Sequence, residues 1–537
     1  MDPWGVSDRR SFPWAALSRR FGVDPRALAT LRVAVGTLIL ADLALRSQSL
    51  VAFYTDAGVL PRAALRDSYP GIARLSLHAL SGSLAFEAAL FAVAGVAAVA
   101  LAAGYRTRLA TVLSLVLLAS LHARNPLVLN AGDAVLRRLL LWGAFLPLGE
   151  VWSVDALRGR TSNGRVRADG SGDPDGDADP DGRWTERRVA TLASAGLLCQ
   201  VVVVYLANAV FKLGSDAWTE GVALRYVFGL DRITVGPGDA LAGHPELLAV
   251  LGVAWLALLV SSVGLVALTG RARTALVCLF AGAHLAMALT MALGLFPLVS
   301  VAALLPFLPP AVWDRAERVG RRLRSRANGE LPGAPRLGRL VDRLATGDGP
   351  RVRQARAPDP TPGPTDRYGP ALDRWRGRIA RAVVAVLLVS MLLWNGATLG
   401  YVDAPDAVEA TVDPEERRWD MFAEPWRYGG WYVASAETAS GREVDAMYGG
   451  SVDWDRPPEV AEAYPTHRWR MYLVDLLRSG NADLRPHLAA YLCRDWNGSH
   501  EEGLRSVSLY FVELHTRFDG PDEARRRHLL DHRCSGR

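Results

Sequence analysis

The sequence predicts an all-α polytopic membrane bundle of about nine transmembrane helices, followed by a C-terminal extracytoplasmic domain of α+β or β-rich type. Three observations lead there. The 537 residues are 50% hydrophobic yet 22% charged, so apolar and charged positions must be segregated along the chain. Several apolar runs approach or exceed the ~20 helical residues that cross a hydrocarbon core. Beyond residue 400 such runs cease, and tryptophans, turn residues and mixed periodicities replace them. Disordered and collagen-like classes are excluded by this composition.

The apolar stretches fall near 27–46, 84–103, 108–122, 132–149, 189–212, 246–269, 273–293, 295–311 and 378–400. Those at 108–122 and 295–311 are short, which fits a broken or partly buried helix lining a cavity as well as a full crossing. Arginine marks alternate flanks: Arg9, Arg10, Arg19 and Arg20 before the first span, Arg106 and Arg108 after the second, then Arg158, Arg160, Arg187 and Arg188, then Arg271 and Arg273, and a dense stretch from Arg315 to Arg356. Because cytoplasmic flanks retain arginine and lysine, the N-terminus is expected inside and the C-terminus outside, in a multi-pass cell-membrane protein. The run near 27 lacks a small-residue cleavage pattern and reads as an anchoring helix.

The domain plan is a cytoplasmic N-terminus over 1–26, a transmembrane domain over 27–312, a cytoplasmic Arg/Pro/Gly-rich linker over 313–377, a final transmembrane helix over 378–400 and an extracytoplasmic soluble domain over 401–537. An inner loop over 158–186 is also expected to be a flexible linker. Within it Asp177, Asp179, Asp181 and Gly182 copy the opening of a calcium loop, but Arg188 stands where the closing glutamate belongs, so a solvated acidic linker is the reading and no metal is expected.

In the outer domain, Trp431 to Ala436 followed by Ser440-Gly441 reads as strand and turn, His467 to Arg478 and Leu484 to Asp495 as helices, and Val507 to Leu514 as a buried strand. Four cysteines exclude a disulfide scaffold; Cys493 and Cys534 could pair only if their region is extracytoplasmic. Asn497-Gly498-Ser499 matches a glycosylation acceptor, a pattern common by chance.

Ionisable groups inside apolar spans are costly, at least ~2.5 kcal/mol each, and so mark bundle interiors or cavities. Asp42 and Arg46 stand one turn apart on the first span, where an anchoring ion pair is the plain reading. Glu87 enters the second span. His122, Arg124, Asn125, Asn130 and Asp133 cluster around the turn between spans three and four, with Arg137 one turn beyond Asp133. Tyr205, Asn208 and Lys212 lie on nearby turns of the fifth span, before Asp216 and Trp218, and His284 sits midway along the seventh.

Lys212 is the only lysine among 61 basic residues. A lysine at a helix end ordinarily snorkels to the headgroups, but arginine snorkels equally well, and the chain uses arginine everywhere else. Desolvation can leave an amine neutral near pH 7 while guanidinium stays charged, so a lone lysine in this setting points to a base or nucleophile. No Walker loop, dinucleotide glycine fingerprint, HExxH, CxxC or GxSxG occurs, which disfavours nucleotide-driven transport and zinc hydrolysis. The arginine excess is accounted for by membrane topology, and no nucleic-acid partner is expected.

The run Tyr54-Thr55-Asp56-Ala57-Gly58-Val59-Leu60-Pro61, the run Tyr205-Leu206-Ala207-Asn208-Ala209-Val210-Phe211-Lys212-Leu213 with Asp216, Trp218, Glu220 and Gly221, Trp152-Ser153-Val154-Asp155, and His284 followed by Phe296-Pro297 resemble the HTTM (horizontally transferred transmembrane domain) family, similar to vitamin K-dependent gamma-carboxylase. The resemblance covers roughly residues 20 to 312. It implies that Lys212 is the base that deprotonates reduced vitamin K or menaquinol, that oxygen then yields a stronger base, and that this base removes a glutamate proton before carbon dioxide is captured. The carboxylase histidine between spans three and four is missing here, where Leu129-Asn130-Ala131-Gly132-Asp133 stands. His122, earlier on that hairpin, is the candidate substitute.

The expectation is therefore an outward cavity with Lys212, His284 and His122 as catalytic residues, and Asn208, Trp218, Asn130, Asp133 and Arg124 as ligand-binding residues. Membrane lipids, a quinol and a protein or peptide substrate are the expected partners. The alternatives are a non-catalytic assembly factor or lipid-binding scaffold and a secondary transporter; inverted internal repeats, which would favour the transporter, are not evident by eye.

Overall fold

The computed structural model describes residues 11–159, 188–230, 233–330, 369–403, 405, 418–458, 464–515, 517, 520 and 522–535. The run Asp177 to Gly182 and most of both expected linkers lie outside the described residues. The first long helix, α1 (Pro25–Ser47), starts where sequence chemistry places it: Asp24 accepts from the Arg26 amide and Pro25 supplies a preset φ. It is followed by α2 (Leu84–Ala103), α3 (Thr107–Arg124), α4 (Ala131–Gly143), α5 (Leu192–Leu213), α6 (Pro245–Val260), α7 (Gly270–Thr290), α8 (Phe296–Leu304), α9 (Pro310–Glu330) and α10 (Gly369–Thr398). Reciprocal side-chain to amide bonds close the N-termini of α4, through Asn130 and Asp133, and of α5, through Thr191 and Ser194.

Among the described residues, six helices are long and apolar enough to cross a membrane: Pro25–Ser47, Leu84–Ala103, Leu192–Leu213, Pro245–Ala267, Gly270–Thr290 and Trp375–Thr398. They point to membrane association. The expected count of about nine is not reached by length and composition. The stretch read as a span over 295–311 is a bent pair, Phe296–Phe307 and Pro310–Arg322, turning by 105°, at the break where Pro306, Pro309 and Pro310 interrupt helical bonding. The helices α3, of 18 residues, and α4, of 13, fall outside the set. Thirteen residues rise only about 20 Å.

One boundary differs from expectation. The linker expected over 313–377 begins later, since residues 313–330 continue α9, where Asp314 and Glu317 on its first turns pair with buried Arg26 of α1 at 2.8 and 3.3 Å.

The C-terminal domain is α+β. Strands β1 (Tyr428–Thr438) and β2 (Glu443–Asp445) form the expected hairpin, helices α11 (His467–Leu476) and α12 (Arg485–Ser499) follow, and β3 (Leu504–His515) and β4 (Glu523–Arg533) complete an antiparallel sheet in the order β2-β1-β3-β4. Tyr432 faces Phe511 across the central pair, and its hydroxyl donates to the Leu473 carbonyl of α11 at 2.9 Å. Strand β4 was not foreseen. It has one neighbour, so its faces stay largely polar and its sequence carries arginines in place of alternation.

Cys493 and Cys534 are joined, Cα to Cα 5.6 Å, tying α12 to the end of β4. The domain is seated on the bundle by α11: the Trp469 ring packs tilted against Phe53 with centroids 4.8 Å apart, and the Tyr472 hydroxyl donates to the Val59 carbonyl at 3.5 Å. The run Tyr54 to Pro61 is therefore the floor beneath this domain.

Replacing Cys493 with Ser is expected to destabilise the C-terminal domain by about 2–4 kcal/mol. The comparison is between thermal unfolding midpoints of the variant and of the parent with and without reductant; identical midpoints in all three would argue against a bond that supports the fold.

Candidate functional site

Residues Tyr205, Asn208 and Lys212 are spaced by three and four along α5 and so share one face. That face lines a cavity of about 1030 Å³, whose walls also include Trp255 of α6, His284 of α7, Phe296 of α8 and His467 of α11. A strap formed by residues 418–424 closes the end near Lys212. Its backbone carbonyls need donors, and three side chains supply them. Asn208 Nδ2 donates to Trp419 at 3.1 Å and Met421 at 3.3 Å, Lys212 Nζ donates to the Met421 carbonyl, and Trp218 Nε1 donates to Phe422 at 2.7 Å. Phe422 adopts φ 55°, a left-handed value disfavoured for a bulky residue.

Lys212 is 1% exposed, and its nitrogen lies 4.3 Å from the centre of the Trp218 ring. It does not reach out to headgroups. Deeper in the cavity the Tyr205 hydroxyl and His284 Nε2 are 2.9 Å apart, Tyr205 stacks on Phe280, and Trp255 and Phe296 present edges to the imidazole. Nδ1 of His284 is buried without a hydrogen-bond partner.

Five of the eight expected site residues thus line one cavity: Lys212, Asn208, Trp218, His284 and Asn130. The other three lie elsewhere. Asp133 belongs to a buried ion cluster in which Arg46 Nε meets Asp42 at 2.7 Å and Arg46 Nη2 meets Asp133 at 2.8 Å. Arg468 of α11 completes it, donating to Asp42 at 2.6 Å and to both Asp133 oxygens at 2.6 and 2.9 Å. Tyr54 also joins, accepting from Arg46 Nη1 at 2.7 Å.

His122 is enclosed by the same cluster, with Nε2 3.2 Å from Arg46 and 3.5 Å from Asp133 and with Nδ1 against Arg137. Both ring nitrogens are engaged within the protein, away from the cavity. Arg137, expected beside Asp133, meets this imidazole. Arg124 is fully buried and donates to the Leu60 carbonyl at 2.8 Å, bracing the loop beneath α11.

Atoms of Asp42, His122 and Asp133 lie within 4.8 Å of one another, close enough to hold a cation. The carboxylate oxygens already take guanidinium hydrogen bonds, so the donor set fits an ion cluster better than a metal centre.

Sequence reading missed His467. Asn130 Oδ1 accepts from the Asp133 amide, which turns Nδ2 toward His467 Nε2 at 2.8 Å; Nδ1 lies 2.8 Å from Arg470 Nη2 and 3.2 Å from the Ala292 carbonyl. A histidine does stand beside the stretch Leu129 to Asp133, but it comes from the C-terminal domain. Burial, then the charges of Arg470 and Arg468, hold it down to about 3. No signal in the linear sequence linked residue 467 to residue 130, since the contact spans 337 positions.

Compared with protein-family models, curated proteins and solved structures, the chain matches none.

Truncating Arg468 to Ala strips two buried carboxylates of a shared partner, a change that costs about 3–5 kcal/mol in such clusters. The expected result is a lower unfolding midpoint and faster proteolytic release of residues 418–535 from the bundle; parent-like protection would contradict the clamp. A second expectation concerns pH. His467 stays neutral in the folded protein down to about 3 but protonates near ~6.5 when unfolded. Its contribution is therefore present above ~6.5 and is lost as pH falls toward 3. Unfolding midpoints of His467→Gln should depend less on pH in that window than those of the parent.

Proposed function

We propose that this chain is a multi-pass cell-membrane protein, N-terminus cytoplasmic and C-terminus extracytoplasmic, in which Lys212 acts as a base toward a quinol or similar lipid held in the cavity. Reduced vitamin K or menaquinol is the ligand class, as the resemblance to the carboxylase implies. The higher count of about nine crossings belongs to this proposal, with α3, α4 and the bent α8–α9 pair lying at membrane depth, packed against other helices.

One observation carries the reading: the chain's single lysine is buried beside a cavity of about 1030 Å³ whose other walls are largely apolar and aromatic. Such a volume is within or slightly above the range of small-molecule sites. The proposed step is transfer of a hydroxyl proton from the quinol to Nζ, leaving a quinolate. Carboxylation of a protein or peptide glutamate is proposed only as a coupled step, since His467, and not a residue of the hairpin, stands beside Asn130.

A second reading, a non-catalytic assembly factor or lipid-binding scaffold, is favoured by the bond from Lys212 Nζ to the Met421 carbonyl, which gives the lysine a structural task. Lys212→Arg separates the two. Guanidinium can still donate to that carbonyl but does not give up its proton near neutral pH. With reduced menaquinone or phylloquinone, oxygen and labelled carbon dioxide, epoxide formation should fall at least ~100-fold in the variant, at unchanged expression and unfolding midpoint. Epoxide without label in the parent would retain base chemistry and reject carboxylation. Equal parent and variant rates would leave the scaffold.

A further inference from the structure

We infer that α9 and the loops beside its start form a docking surface for anionic phospholipid headgroups at the end of the bundle opposite the C-terminal domain, with α9 lying flat along the membrane surface. Under the membrane placement proposed above, on which this inference rests, that end faces the cytoplasmic leaflet.

Two arginines of α1 fix where the end lies. They stand near opposite termini of a helix of 23 residues, and its rise of about 35 Å exceeds a hydrocarbon core of about 30 Å. At one terminus Arg46 joins Asp42 and Asp133, the two carboxylates that Arg468 brings to the C-terminal domain. At the other, Arg26 holds Asp314 and Glu317 of α9. From there α9 runs at 105° to the preceding helical stretch, Phe296–Phe307. A helix turned through roughly a right angle from one standing across the membrane runs along its surface.

The contacts with Arg26 also sort the charges of α9. Asp314, Glu317 and buried Trp313 face the bundle. Arg315, Arg318 and Arg322, spaced by three and four, share another face and are exposed, with Val319 among them at 47% exposure. The acidic side chains of these first turns are thus spent on Arg26, and the outward face sets positive charge beside an apolar side chain. Such a face suits the headgroup layer, with guanidinium to phosphate and valine toward the acyl chains.

Neighbouring loops extend the surface. Trp152 is 51% exposed, with its ring centroid 6.4 Å from that of Trp313. Its φ of 50° is disfavoured for a bulky residue and is held by buried Arg32, whose Nη2 donates to the Trp152 carbonyl at 2.6 Å. Exposed Arg106 and Arg158 lie over the Tyr105 ring at 5.9 and 4.7 Å, while Asp155 is occupied by the Arg106 and Thr107 amides at 2.9 and 2.8 Å. Glu150 is exposed against them. An exposed tryptophan and tyrosine among arginines match the level at which amphipathic rings meet phosphates. Retention of arginine on the cytoplasmic side requires no particular face; here acids are consumed within the protein and arginines are turned out, which asks for an anionic partner.

The test uses the full chain with Cys199→Ala and Cys278→Ala, labelled with bimane through Val319→Cys, in phosphatidylcholine nanodiscs. Quenching by brominated phosphatidylglycerol is compared with quenching by brominated phosphatidylcholine. The anionic lipid should show at least about fivefold the relative affinity at this position, falling toward equality near 1 M salt, where screening acts within about 3 Å. Arg315→Gln, Arg318→Gln and Arg322→Gln together should remove the preference while leaving total quenching in place. A control label through Val253→Cys on α6, a residue 55% exposed, should favour neither lipid. Equal quenching by both lipids at position 319 overturns the inference, as does a preference that survives the triple substitution. No quenching at 319 while the label at 253 is quenched also overturns it. No quenching at either position removes the membrane placement itself. Should the triple variant not fold, the parent's preference and its salt dependence decide.

Discussion

Arg468 reaches from the C-terminal domain into the bundle and ends between Asp42 of α1 and Asp133 of α4. Neither carboxylate could be buried alone, and Arg46 by itself leaves Asp42 Oδ1, which Arg468 reaches, without a partner. The second guanidinium therefore fixes three elements at once. Because Asp133 is also one half of the α4 capping box, the same contact sets Asn130, and through Asn130 the imidazole of His467. The cavity wall contributed by α11 is thus held by charges that do not themselves line the cavity.

The strap at the other side of the cavity obeys a similar constraint in neutral form. Three backbone carbonyls lie over the end of α5, and Asn208, Lys212 and Trp218 are placed to donate to them. Lys212 consequently has a structural and a chemical reading at one atom. An amine has several protons to place, so a bond to Met421 leaves capacity for a second partner inside the cavity.

Much of this was legible in the sequence where physics is local. Long apolar runs, the Asp42–Arg46 spacing, and the α11, α12 and β3 periodicities each depend on neighbours within a few residues. The solitary lysine stood out by composition alone. What was not legible depends on distant partners. Asp133 and Arg124 looked like ligand-binding residues, and His122 like a catalytic one, because a polar group in an apolar hairpin has no local explanation; their explanation is Arg468, Arg46 and the Leu60 carbonyl. Strand β4 was hidden because an edge strand needs no alternation. Which apolar runs cross and which only pack was not legible either, because an apolar run predicts burial as readily as it predicts lipid.

The wall formed by the strap and α11 also has a consequence for biogenesis. Residues 418–424 and His467 are translated long after α5 and α7, whose faces they cover. A nascent bundle would present an open trough where the mature protein has a chamber. Closure thus comes late in synthesis, when the last third of the polypeptide has emerged and Arg468 has found its two carboxylates.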